Sequence, residues 1–240
     1  MTMKKPAVDY SQLRLSTVRE PRYRHVLLLL GWVGYFTLYM LTENLIPASA
    51  CHPMHCALDD LIPFNEFFVL FYVGWYALCF ASLGYYFFND VQNFSRLQIY
   101  IMITQAVAMT CYILYPTRQD LRPEVFPREN VLTALMAFIY SFDTSTGVCP
   151  SLHVGYSMGI LSVIWKDQKA KPLIKGLVLA FVLGVCAAVC FVKQHSAVDV
   201  VAALPMCLLA EILVFGKSYW LPRLQRPQGA PGRSQAARVQ

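Results

Sequence analysis

Three segments of this 240-residue chain carry side chains that could do chemistry together. Cys149-Pro150-Ser151-Leu152-His153 offers a hydroxyl and an imidazole, and Lys193-Gln194-His195-Ser196-Ala197-Val198-Asp199 offers an imidazole with a carboxylate four residues on. Tyr115-Pro116-Thr117-Arg118-Gln119-Asp120-Leu121-Arg122-Pro123 adds two guanidinium groups. If a helix starts near His195, then His195 and Asp199 share one of its faces. The carboxylate can then hold one ring N–H while the other nitrogen attacks phosphorus. His153 can protonate the leaving oxygen as general acid. Arg118, Arg122, Lys193 and the amides at a helix start after Pro150 can neutralise the phosphoryl oxygens, and Ser151 can donate a hydrogen bond to them. Each group alone has an ordinary reading, since a single membrane histidine is usually a packing residue and paired arginines anchor lipid headgroups. Together they supply every part of phosphoryl transfer through a covalent phosphohistidine.

The elements that must position these groups are membrane helices. Hydrophobic residues make up 57% of the chain and charged residues 14%, against about 45–50% and 25% in soluble domains. So few charges cannot cover a soluble body of this size, and the bilayer is the expected solvent. A net charge of +6 raises nucleic acid as a partner, but the basic residues sit between apolar runs and form no stripe with aromatics, which excludes that class. Apolar runs near 26 to 46, 67 to 88, 97 to 115, 153 to 165, 173 to 192 and 197 to 215 predict six spans. A shorter run at 128 to 142 predicts an interfacial or re-entrant helix between spans three and four. Ala48-Ser49-Ala50 has the pattern of a signal-peptidase site, but the run before it exceeds the roughly 7–15 residues of a signal core, so the first span is expected to stay. The expected fold is all-α, with an N-terminal segment 1–25, a membrane domain 26–216 and a basic disordered tail 217–240.

Charge orients the spans. All but four of the twenty Lys and Arg residues fall on one side, the exceptions being Arg118, Arg122, Arg128 and Lys193. The positive-inside rule therefore predicts cytoplasmic termini and puts 47 to 66, 116 to 152 and 193 to 196 outside. His153, His195, Arg118 and Arg122 then share the outward face of a multi-pass protein, with the plasma membrane the expected site.

The ordered set Arg122-Pro123, Pro150-Ser151-Leu152-His153 and His195-x-x-x-Asp199 resembles the three signature motifs of the type 2 phosphatidic acid phosphatase superfamily of lipid phosphatases and phosphotransferases. The resemblance covers roughly residues 65 to 215. It implies a six-helix membrane fold, no metal or other cofactor, lipid phosphate substrates, His195 as nucleophile, Asp199 as its orienter and His153 as general acid. Tyr115 stands where the first motif has Lys, Leu152 where the second has Gly, and Ala188-Val189 where the third has Ser-Arg. These forms are similar to the branch holding inositol phosphorylceramide synthases and sphingolipid phosphotransferases, so transfer of a phospho-headgroup to a lipid alcohol is the alternative to hydrolysis. A transporter of anionic lipid or phosphate is the rival of another class, and it would have no need of the His195 and Asp199 pairing.

Of the eight cysteines, Cys79, Cys111, Cys186, Cys190 and Cys207 fall within spans and act as small apolar residues. Cys51, Cys56 and Cys149 are expected outside, where one bridge could form. Cys51-His52-Pro53-Met54-His55-Cys56 holds four possible metal ligands, but the spacing fits no common zinc pattern, so an ordinary polar loop or a Cys51 to Cys56 bridge is preferred. Glu43 and Glu211 are assigned no chemistry.

Overall fold

A computed structural model describes residues 6–225. It is 70% helical and nearly all-α. Helix α1 (Leu30–Leu45) extends a 3₁₀ stretch at Arg24–Leu29, and the rest of the bundle is α3 (Val69–Asn89), α4 (Val91–Leu114), α6 (Leu152–Lys166), α7 (Pro172–Phe191) and α8 (Ala197–Phe215), with the short α2 (Ala57–Leu61) and α5 (Val131–Phe142) at one end. Five helices among the described residues are long and apolar enough to cross a membrane, and α6 is not among them. Its fifteen residues reach about 22 Å, short of a ~30 Å hydrocarbon layer.

α6 is the centre of the bundle. Nine of its fifteen residues are buried, whereas α1 buries none. Two glycines let it sit there: a Cβ on Gly159 would lie 2.6 Å from Tyr100 Cδ1 of α4, and one on Gly155 would lie 3.0 Å from Met206 Cε of α8. Small residues are what bring membrane helices this close. Buried polar groups on α4 are paired: Gln105 Nε2 donates to the Tyr156 hydroxyl at 2.7 Å, and Gln98 accepts from Trp32 Nε1 at 3.0 Å, fastening α1 to α4.

Helix starts follow their capping residues. Asp90 accepts from the Asn93 amide, Asn130 from Leu132 and Thr133, and Ser196 from Val198. Pro172 occupies the first turn of α7. Past Phe215 the chain makes a π turn at Gly216–Trp220 and a further helical turn at Leu221–Leu224. The expected disordered tail is therefore helical over its first eight residues, and residues 226–240 lie outside the described region. The sequence pattern also missed α2 and a two-residue parallel pairing of β1 (His52–Pro53) with β2 (Thr117–Arg118). Both are too short to show a hydrophobic period.

Candidate functional site

His195, Asp199 and His153 meet where α6 and α8 begin. Asp199 lies on the first turn of α8, buried. Its Oδ2 is 3.2 Å from His195 Nδ1 and also accepts the Ser196 amide at 3.0 Å, so one oxygen closes a capping box and holds the imidazole. As a carboxylate it can only accept, which places the His195 proton on Nδ1 and leaves Nε2 with a lone pair. That Nε2 is 3.3 Å from His153 Nδ1. His153 is wedged between Tyr72 and Trp75 of α3, with ring centroids 4.7 and 4.3 Å away. The two helix starts are tied directly, because the Ser151 amide donates to the Asp199 carbonyl at 3.1 Å.

Several polar atoms around this relay are buried without a hydrogen-bond partner among the described residues: Ser151 Oγ, His153 Nε2, Asp199 Oδ1, Arg122 Nε and Trp75 Nε1. Ser151 occupies the N-cap position of α6 yet its hydroxyl caps nothing. Leaving a buried polar group unsatisfied costs about 1–3 kcal/mol, so such a cluster favours any ligand that satisfies it.

The cationic groups are distributed unevenly. Arg122 reaches the site's edge, where its guanidinium donates to Gln194 Oε1 at 2.6 Å and to the Asp143 and Thr144 carbonyls at 2.9 Å each. It also stacks over Tyr140 at 4.5 Å. Asp143 completes this network by accepting from the Tyr72 hydroxyl at 2.9 Å and from Gln194 Nε2 at 3.0 Å. Arg118 is engaged elsewhere, donating to the Ala48 and Cys51 carbonyls at 3.0 and 2.6 Å and pairing with Asp120. Lys193 is buried and turned away, its Nζ donating to the Asp59 and Ile62 carbonyls. Its φ of 52° is left-handed, a strained conformation for a non-glycine, and it ends α7 where glycine is usual.

Sequence reasoning missed Asp59. This buried carboxylate reaches from α2 to the start of α8, accepting from the Ser196 hydroxyl at 2.5 Å and from the Ala197 and Cys56 amides at 2.8 Å each. Burial alone would raise its pKa, but these donors outweigh that and hold it below the usual carboxylate value. With Lys193 bonded to the same segment, α2 clasps both sides of the turn that carries His195. The available signal was local: Asp59 is the third residue of α2, where an acidic side chain closes a capping box on Cys56. Asp143 and Gln194 were missed because their partners are distant in sequence.

Among the described residues all eight cysteines are free thiols, so the bridge considered for Cys51, Cys56 and Cys149 is not formed. Burial, and then the neighbouring Asp199 carboxylate, push the Cys149 thiol up to about 12. The Cys51 to Cys56 segment does not converge: His52 stacks on Tyr115 at 4.2 Å and His55 pairs with Asp60 at 2.8 Å. Among the described residues no three His, Cys, Asp or Glu side chains gather in a way that could hold a metal. No family model matches the chain, and neither does any curated protein or solved structure.

Proposed function

We infer that the chain is a membrane enzyme of the type 2 phosphatidic acid phosphatase kind, which hydrolyses a lipid phosphate ester. The observation that carries the reading is the Asp199, His195, His153 relay beside the unsatisfied Ser151, His153 and Arg122 atoms. His195 Nε2 attacks phosphorus, forming an N–P bond while the ester P–O bond breaks. Asp199 stabilises the resulting imidazolium through Nδ1. His153 gives its Nδ1 proton to the departing alkoxide, then takes one from the water that cleaves the phosphohistidine and releases inorganic phosphate. The phosphoryl group must enter between the two rings, replacing their 3.3 Å contact. Ser151 Oγ and Arg122 Nε then donate to its oxygens, while the other Arg122 nitrogens keep that side chain in place.

In this reading α6 is a sixth span, shielded by the helices around it so that its shortness meets little lipid. The relay, at the basic-poor end, faces outward, with both termini cytoplasmic and the protein in the plasma membrane. Purified protein incubated with a panel of lipid phosphates, with and without a lipid alcohol, is the test. Free phosphate released by the parent and not by His195→Ala supports the proposal; a new phospholipid without free phosphate would replace it with transfer; binding without turnover would sink both.

A further inference from the structure

A cavity lies at the other end of the bundle from the histidines. It holds about 490 Å³ between α6, α7 and α8, within the roughly 300–1,000 Å³ of small-molecule sites. Its inner walls are apolar, formed by Met158, Leu179, Leu204 and Leu208. Its mouth is polar, with Lys166, Glu211 and Trp220. From position 158 to 166 on α6 the depth is about 12 Å. Leu204 and Leu208 are exposed, so the cavity opens sideways into whatever surrounds the helices.

The charges at the mouth decide what fits. Glu211 is fully engaged: it pairs with Lys166 at 2.6 Å and accepts from Ser162 Oγ and Trp220 Nε1 at 2.5 Å each. Lys166 is thus neutralised. Lys175 and Arg223 are not. Lys175 Nζ donates to the carbonyl of Trp165, another lining residue, at 2.8 Å, and Arg223 stacks on Tyr219 with its Cζ 3.3 Å from the ring centre. Neither has a carboxylate partner among the described residues. Two cations without carboxylate partners therefore stand beside the apolar slot, Lys175 through the carbonyl of the lining Trp165 and Arg223 through Tyr219, the neighbour of the lining Trp220, and indoles such as Trp165 and Trp220 are enriched at membrane interfaces.

We propose that this groove is a binding site for one anionic phospholipid of the surrounding bilayer, its acyl chain between α6 and α8 and its phosphate against Lys175 and Arg223. The site stands apart from the phosphoryl-transfer reading and would survive its failure. It has a consequence for it all the same, because α6 and α8 carry His153 and Asp199 at their far ends, so a chain seated between them props the spacing on which the relay depends. The basic end of the bundle is also where anionic lipid accumulates.

Trp165 and Trp220 report occupancy directly. Delipidated protein in detergent is titrated with phosphatidylglycerol bearing brominated acyl chains, and separately with equally brominated phosphatidylcholine, while tryptophan emission is followed. Saturable quenching is expected, with phosphatidylglycerol effective at about thirtyfold lower concentration, as two basic groups at a lipid surface imply. The Trp165→Phe/Trp220→Phe variant should lose the saturable component even though Trp32 and Trp75 remain. Lys175→Gln/Arg223→Gln alters rim groups only and should keep the quenching but abolish the preference. Equal, unsaturable quenching by both lipids, or quenching undiminished in the double Phe variant, would overturn the proposal.

Discussion

Replacing Asp59 with Ala tests whether α2 holds the His195 turn in place. The substitution removes a carboxylate that accepts three hydrogen bonds, two of them from donors at the start of α8, the Ser196 hydroxyl and the Ala197 amide. The Ser196 hydroxyl can rotate, but the Ala197 and Cys56 amides are fixed, and at about 1–3 kcal/mol for each donor left unsatisfied the loss is roughly 2–6 kcal/mol. For a chain of this size each kcal/mol moves Tm by about 2–4 °C, so a fall of roughly 10 °C is expected. The natural assay uses the protein's own thiols: Cys51, Cys79, Cys190 and Cys207 are buried, and a thiol-reactive fluorophore reports their exposure on heating. Asp59→Asn, which keeps one acceptor oxygen, should melt between the parent and the Ala variant. An Ala variant melting within about 2 °C of the parent would refute the clasp.

Other consequences are as direct. Asp199→Asn keeps the shape of the first turn of α8 but removes the charge that stabilises a cationic His195, so hydrolysis should fall by about 10²–10⁴-fold with the circular dichroism spectrum unchanged. Gly159→Leu should prevent folding, because its Cβ alone would already sit 2.6 Å from Tyr100 Cδ1; size-exclusion profiles should show aggregate where Gly176→Ala, with open space around it, elutes as the parent does. Acid should loosen the clasp: the Asp59 pKa is depressed on folding, so its contribution is complete above the unfolded value of about 3.9 and is lost as pH falls through the lower folded value. The melting gap between parent and Asp59→Ala should therefore narrow in acid, and a gap that is constant with pH would contradict the depressed pKa.

Five of the helices were legible because each is a long apolar run, whereas α6 is shorter and α2 showed no period. Pro172 opens α7 and Ser196 opens α8 at the residues the pattern indicated, and the short apolar run before Asp143 is the separate helix α5. His195 and Asp199 were legible as a pair because one helical turn joins them. His153 was legible only through topology, since forty-two residues separate it from His195. Asp59 and Asp143 were not, because their roles come from tertiary partners: nothing local says that a carboxylate in the five-residue α2 will meet the start of a helix more than a hundred residues away, or that Asp143 will accept from Tyr72 and Gln194. Lys193 and Arg118 show the opposite limit. Their charge marked them as phosphate ligands, but both are held by backbone carbonyls, a satisfaction that depends on chain path rather than residue type. The Lys166 and Glu211 pair stayed unread for the same reason, its members lying on separate helices.

The proposed hydrolysis requires His195 to become covalently phosphorylated. Purified protein should be mixed with a radiolabelled lipid phosphate, quenched in alkali within one turnover to preserve the acid-labile N–P bond, and mapped by peptide mass spectrometry. Label on His195, absent from His195→Ala and accumulating in His153→Ala with a good leaving group, is the predicted result. Turnover with label on another residue, or turnover by the His195→Ala variant, would contradict it.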